Sequence, residues 1–444
     1  MYVGGSPMKK ILALALVLVL ALSLTAVSLA DEVVVAKIGD TEYTALVDAF
    51  SAAQDGDTIV LQHDAAISGY VGTPADASVT LDLNGFAITG GALDVYGGLT
   101  VTGEGSITGA KHAIWVNGQG AELTVKSGTI TGGTGYAIVA NNDDSTAKIN
   151  IEGGLIQSGA EGSGALALGT CHATISGGTI LSEVDNTDAI ELSNDSTLTI
   201  SDGEIKGHDW GIAAFDTAQL TITGGTITTA DDEGYAVTTN GNAGQSATIT
   251  ISGGTIRGAE LGAYAPSGKW IITGGNIEGA TGLYFKSTSL HISGNATIVG
   301  NGEARDYNYY GNGANYTGDA LVIDSCGYPN GISDVSVTGG TFRSANAQGA
   351  ACYTHEQNTP VTKFISGGTF SSIRDNSYLV DNTNEVIRAN GDVVVSPVGN
   401  YVAPVAATTV SSPKTADLGV ALYAVLALTS ATGAAWTCSK RKDI

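Results

Sequence analysis

The sequence predicts an all-β chain: a single-stranded right-handed parallel β-helix of about 11–13 coils with a short N-terminal capping helix. Three observations predict it. A phrase of the form Ile/Val-Ser/Thr-Gly-Gly-Thr-Ile/Phe recurs at 175–180, 222–227, 251–256, 337–342 and 365–370. Degenerate copies end at Ile107, Ile130, Ile156, Ile205, Ile277 and Ile298, and successive last residues from Ile107 to Ile298 lie 21–29 positions apart. Between copies stand short runs of alternating apolar residues separated by Gly, Asn, Asp and Ser, with no helical periodicity. A unit of that length cannot bury its apolar face alone, so the units must stack, and each coil bonds to the next at about 4.8 Å.

Taken in order, the chain opens on Lys9 and Lys10, an apolar run and then Ser28-Leu29-Ala30. That pattern predicts a secretory signal peptide over 1–30, with Met8 as an alternative start. Residues 31–77 are expected to form the N-terminal cap and first coil. They contain the one helical pattern, 44–53, with Thr44 as N-cap and Leu46, Val47, Phe50 and Ala53 on one face. The β-helix proper spans 78–375, interrupted by an insertion at 299–320, and a C-terminal cap follows over 371–398. Caps are needed because an open solenoid end exposes unpaired strand edges. A linker at 399–411 leads to Ser412-Pro413-Lys414-Thr415-Ala416-Asp417, an uncharged stretch at 418–439 long enough to span a bilayer, and Lys440-Arg441-Lys442.

Aligning the strand of form x-Ala/Gly-apolar-x-apolar stacks residues 112–116, 136–140, 164–168, 188–192, 210–214, 235–239, 261–265, 281–285, 319–323 and 350–354. The third position should point inward, and the second and fourth outward, the second giving a shallow floor. The fourth column then carries Tyr264, Tyr284 and Tyr353 on one outer face. The insertion adds Arg305, Asp306, Tyr307, Tyr309, Tyr310 and Tyr316 beside them. Flat hydroxylated rings flanked by Asn and Asp suit sugar rings, so these residues are the candidate glycan-binding set. The same tyrosines would equally serve to pack the insertion onto the helix.

The tail resembles the cell-wall sorting signal of Gram-positive surface proteins (LPXTG-like). That resemblance implies cleavage by a sortase between Thr415 and Ala416 and linkage to peptidoglycan; Ala416 departs from the usual Gly. A plain membrane anchor is the alternative. The repeats resemble the right-handed pectate-lyase-like β-helices of bacterial surface proteins over roughly 78–375, which implies the fold far more than any activity. The arginine-plus-proline signature of the lyases is absent. Pieces of a polygalacturonase pattern occur as Asn186-Thr187-Asp188, Gly207-His208-Asp209, Asp231-Asp232 and Arg257, in the wrong order and without its lysine. Asp188, His208, Asp209, Asp231, Asp232 and Arg257 are therefore the catalytic candidates. Asp188, Asp209 and Asp232 are expected on successive coils, with the outer two about 9–10 Å apart.

Charged residues make up only 14% of the chain, and with 19 basic against 43 acidic residues the net charge is −24. Nucleic acid and anionic lipid are thereby disfavoured as partners, and a polysaccharide or glycan remains open. Asp143, Asp144, Asp195 and Asp216 precede the Gly-Gly strand by similar counts, so a structural Ca²⁺ or hydrogen bonds to the turn's own amides would settle them. No other cofactor is expected, the six histidines show no ligand spacing, and a monomer is expected. Cys326 and Cys352 are placed either to bridge neighbouring coils or to stay free, and Cys171 reads as an unpaired thiol. The functional expectation is a surface-anchored, extracellular, non-catalytic adhesin or glycan binder, with a polysaccharide-degrading enzyme and a purely structural wall component as alternatives.

Overall fold

The computed structural model describes residues 33–140, 147–159, 164–230, 232–304, 317–324, 328–345, 349–355 and 361–399. The signal peptide, Asp143, Asp144, Asp231, Arg305, Asp306, Tyr307, Tyr309, Tyr310, Tyr316, Cys326, Thr415, Ala416 and the 418–439 stretch lie outside the described residues. No helix among the described residues is long and apolar enough to cross a membrane.

Of the described residues 55% are strand and 3% helix, and they wind into a parallel β-solenoid of about 12 turns. Each turn contributes to three strand columns. In the first column the ladder Leu99, Leu123, Ile149, Ala173, Leu198, Leu220, Ile249, Trp270 and Leu290 pairs coil to coil in parallel. In the second, Ile107, Ile130, Ile156, Ile180, Ile205, Ile227, Ile256, Ile277 and Ile298 do the same, ending at Phe342 and Phe370. These are the last residues of the repeated phrase. Identical β-branched side chains stacked in register form one continuous core, each contributing about 1.5–3 kcal/mol of burial.

Between the first and second columns the chain turns on the Gly-Gly pair. The second glycine takes positive φ (Gly178 79°, Gly254 85°, Gly275 84°). At the first there is no room: a Cβ on Gly253 would stand 2.1 Å from the Thr223 carbonyl oxygen of the coil beneath. Because every coil turns at the same corner, the requirement repeats, and so does the phrase.

The third column holds the aligned strands, and its inward position (Ile114, Ile138, Leu166, Ile190, Ile212, Val237, Ala263, Leu283, Leu321, Cys352) is fully buried. The second position corrects the expectation of an outer floor. Ala113, Ala137, Ala165, Ala189, Ala236, Ala320 and Ala351 all belong to the core. A Cβ on Gly211, Gly262 or Gly282 would lie 2.7–2.8 Å from Ile227, Ile277 or Ile298 of the second column. These residues sit at the corner between the second and third columns, where the bend breaks strict alternation and only a small side chain fits beside the isoleucine ladder.

Both ends are closed. At the N-terminal end Ala36–Ile38 pairs antiparallel with Thr58–Leu61 and Thr41–Tyr43. The helix there is Leu46–Ala52, with Ala45 rather than Thr44 at the N-cap and no side-chain cap bond. Leu46, Ala49 and Phe50 form its buried face. Val47 is 47% exposed, since one residue past Leu46 is 100° round the helix. At the C-terminal end the hairpin Thr383–Ile387 and Val393–Pro397 lies antiparallel on Ile365–Phe370 and ends the parallel ladder. Arg343 clamps this cap through a two-pronged pair with Asp392 at 3.0 and 2.7 Å. Cys171 and Cys352 are buried free thiols; Cys326, the other half of the bridge the spacing allows, lies outside the described residues.

Candidate functional site

The outer side of the third column carries a run of aromatic and acidic side chains. Fourth-position residues stack there coil upon coil: Asp94 on Trp115, Ala167 on Glu191, Thr238 on Tyr264, Tyr264 on Tyr284, Tyr284 on Val322, and Val322 on Tyr353. First-position residues flank them, with Asp188 on Trp210 and Trp210 on Tyr235. The result is a strip of aromatic rings and carboxylates along the solenoid axis.

The strip begins near the N-terminal cap. Tyr70 is 59% and Tyr96 39% exposed. The Trp115 ring lies 6.1 Å from those of both Tyr70 and His112. Beneath them Asp94 is buried, accepting a hydrogen bond from the Tyr96 hydroxyl at 3.2 Å. Burial pushes its carboxyl above the usual range. Asp94 Oδ1 and Trp115 Nε1 are buried with no hydrogen-bond partner, a rare and costly condition. Sequence reasoning missed this cluster, because the alignment began one coil later and left Asp94 out.

In the middle of the strip Tyr136 reaches across two coils, its hydroxyl donating to Glu191 Oε2. Gly164, on the coil between, makes this geometry: a Cβ there would stand 2.8 Å from Tyr136 Cε1. Burial, with repulsion from Glu191 and Asp209 added, pushes the Asp188 carboxyl up to about 8. Asp209 Oδ1 lies 2.6 Å from His208 Nδ1, and His208 Nε2 lies 3.2 Å from Asp185. Asp209 also receives the Asn186 amide at 3.1 Å. Beside these acids the half-buried Trp210 and Tyr235 rings stack at 6.4 Å and 13°. A cleft of about 540 Å³, lined by Gln157, Ser158, Leu181, Glu183 and Asp185, opens on the Asp185 side.

Of the catalytic candidates, the structure brings together Asp188, His208 and Asp209. It does not set Asp188, Asp209 and Asp232 in one column: Asp188 stacks on Trp210, and Asp209 precedes that strand. Asp232 is exposed in a turn. Arg257 stands in the second column, paired with Glu278 at 2.8 Å. Asp209 lies one residue before the Trp210–Ala214 strand and Asp232 three before Tyr235–Thr239, so on their coils these two aspartates stand outside the ladder that holds Asp188.

Beyond Tyr235 the strip is covered. Tyr264 is 7% and Tyr284 0% exposed, and with Leu261 and Val322 they form a second, smaller apolar cluster separate from the main core. Tyr264 and Tyr284 do stand on the outer side of the sheet, as the alternation predicts, but as buried rings they offer no platform to a sugar. The Tyr264 hydroxyl is 2.8 Å from that of Tyr328, and the Tyr284 hydroxyl donates to Asp324 at 2.8 Å. Lys286, also fully buried, lies 3.1 Å from Asp324 Oδ2. Tyr353 has the Arg374 guanidinium over its ring at 4.4 Å.

The turn acids are held locally. Asp216 accepts the Asn194 amide at 3.0 Å and Gln245 Nε2 at 2.9 Å, bonds that hold its carboxyl below the usual range. Asp195 accepts from the Thr217 hydroxyl. Among the described residues no three His, Cys, Asp or Glu side chains group as metal ligands. No family model matches the sequence, and neither a curated protein nor a solved structure matches it.

Proposed function

We propose that this protein is a non-catalytic glycan-binding rod displayed outside the cell, and that the open stretch of the strip, from Tyr70 to Tyr235, takes a neutral or amino-sugar polysaccharide. One observation carries the reading: the half-buried, stacked Trp210 and Tyr235 rings stand beside Asp188 and Glu191 on a face that repeats every coil. Aromatic faces accept the C–H faces of sugar rings, and carboxylates accept sugar hydroxyls. A net charge of −24 and the acids of the strip disfavour uronate polymers. The signal-peptide pattern and the sorting-signal resemblance around Thr415 and Ala416 support secretion, sortase processing and attachment to the wall.

A polysaccharide hydrolase is the second reading, favoured by Asp188: a carboxyl protonated at neutral pH beside a second carboxylate is the pairing of general acid and base. One experiment separates the two. The purified protein is incubated with neutral, amino-sugar and uronate polysaccharides, and polymer and protein are followed together by size-exclusion chromatography. Co-elution with intact neutral polymer, lost on Trp210→Ala plus Tyr235→Ala, supports the binder. Shortened polymer, with cleavage abolished by Asp188→Asn, overturns it in favour of the hydrolase. Absence of co-elution with every neutral and amino-sugar polymer also overturns it.

A further inference from the structure

The covered half of the strip holds a site of a different kind. Lys286 and Asp324 occupy the same position on directly stacked coils, each immediately after the paired Phe285 and Ile323. Both side chains are fully buried. The Lys286 Nζ lies 3.1 Å from Asp324 Oδ2, 4.9 Å from the centre of the Tyr284 ring and 5.1 Å from that of Tyr328. The Tyr284 hydroxyl donates to the same carboxylate oxygen at 2.8 Å. Two charges are thus held away from water against aromatic surfaces, where desolvation costs several kcal/mol per ion.

We propose that Lys286 and Asp324 condense into an intramolecular amide, making this pair a self-modification site that cross-links adjacent coils. Fixing an amine against a carboxyl group replaces a bimolecular encounter with a high effective concentration, and a dry site removes the water that would reverse the reaction. The atoms balance without a co-reactant. One proton passes from the Nζ ammonium to the Asp324 carboxylate, leaving an amine and a carboxylic acid. The amine lone pair attacks Asp324 Cγ and forms the C–N bond. The carboxyl C–OH bond then breaks, and the departing oxygen takes a second Nζ proton relayed by the Tyr284 hydroxyl and leaves as water. Nothing is oxidised or reduced, and both buried charges disappear.

The location gives the cross-link a purpose. Elsewhere the last residues of the phrase follow one another every 21–29 positions, but from Ile298 to Phe342 the interval is 44. Lys286 and Asp324 stand on either side of this insertion, 38 residues apart. A covalent tie there closes the longest excursion of the chain, limiting the unfolded ensemble as any cross-link over a long loop does.

The test is the intact mass of the purified, denatured protein together with its tryptic map. The expected result is a mass lower than the chain's formula by one water, no tryptic cleavage after Lys286, and a branched peptide containing Lys286 and Asp324. In Asp324→Ala the missing water returns and trypsin cuts after Lys286. A wild-type mass equal to the formula with normal cleavage after Lys286 overturns the proposal, as does a missing water that persists in Asp324→Ala.

Discussion

The two halves of one outer face differ in what covers them. From Tyr70 to Tyr235 the strip presents carboxylates and rings at least partly open to solvent. From Tyr264 to Val322 the same column is buried as a second small core, its polar groups tied in a Lys286–Asp324–Tyr284 network. The backbone is the same in both halves, since the inward ladder runs unbroken from Ile114 to Leu321. A solenoid therefore assigns roles to its faces by what stands outside them: the open half is suited to recognition and the covered half to holding coils together.

That contrast breaks most visibly at Asp324. Replacing it with Ala removes the proposed cross-link and leaves the Lys286 amine buried without its carboxyl partner, and a loss of about 3–5 kcal/mol is expected in chemical denaturation. A loss below about 1 kcal/mol, the range of exposed pairs, would show that the covered half is wet. On the open half, Trp210→Ala or Tyr235→Ala should weaken glycan binding about tenfold, or about 1.4 kcal/mol, with little change in stability. Calorimetric titration with the bound polysaccharide and a melting curve measure the two effects.

Asp188 sharpens the comparison through pH. Its folded pKa, about 8, lies above the ordinary 3.8, so the folded state holds a proton that the unfolded state releases. Stability should therefore fall as pH rises from about 4 to about 8, and Asp188→Asn should flatten that part of the profile. Denaturation midpoints of both proteins across this window test it; parallel profiles would place Asp188 in a wetter setting. The smallest effect is expected at Arg257, whose pair with Glu278 is exposed on the second column. Arg257→Ala should cost less than about 1 kcal/mol and leave glycan binding unchanged.

The coils were legible because a repeated phrase is a register: each copy ends on the residue that stacks in the second column, and its glycines mark a corner that admits nothing larger. The inward positions of the third column followed from alternation. Alternation failed at the second position, where Ala189 and Gly211 point into a corner that strict period two does not anticipate. It also placed Tyr264 and Tyr284 on the correct side without revealing that they are covered, since cover comes from chain distant in sequence. Lys286 and Asp324 lie one residue beyond the aligned five-residue strand. Extending the alignment by that residue would have set a lysine directly above an aspartate, the signal that was there to be read.

The central claim is that the open half binds glycan and the covered half does not. It is tested most directly by measuring affinity for the retained polysaccharide in two variants side by side: Trp210→Ala with Tyr235→Ala, and Tyr353→Ala, whose ring packs against the covered cluster. The account predicts a loss of about tenfold or more in the first and wild-type affinity in the second. Wild-type affinity in the first, or an equal loss in both, would contradict it.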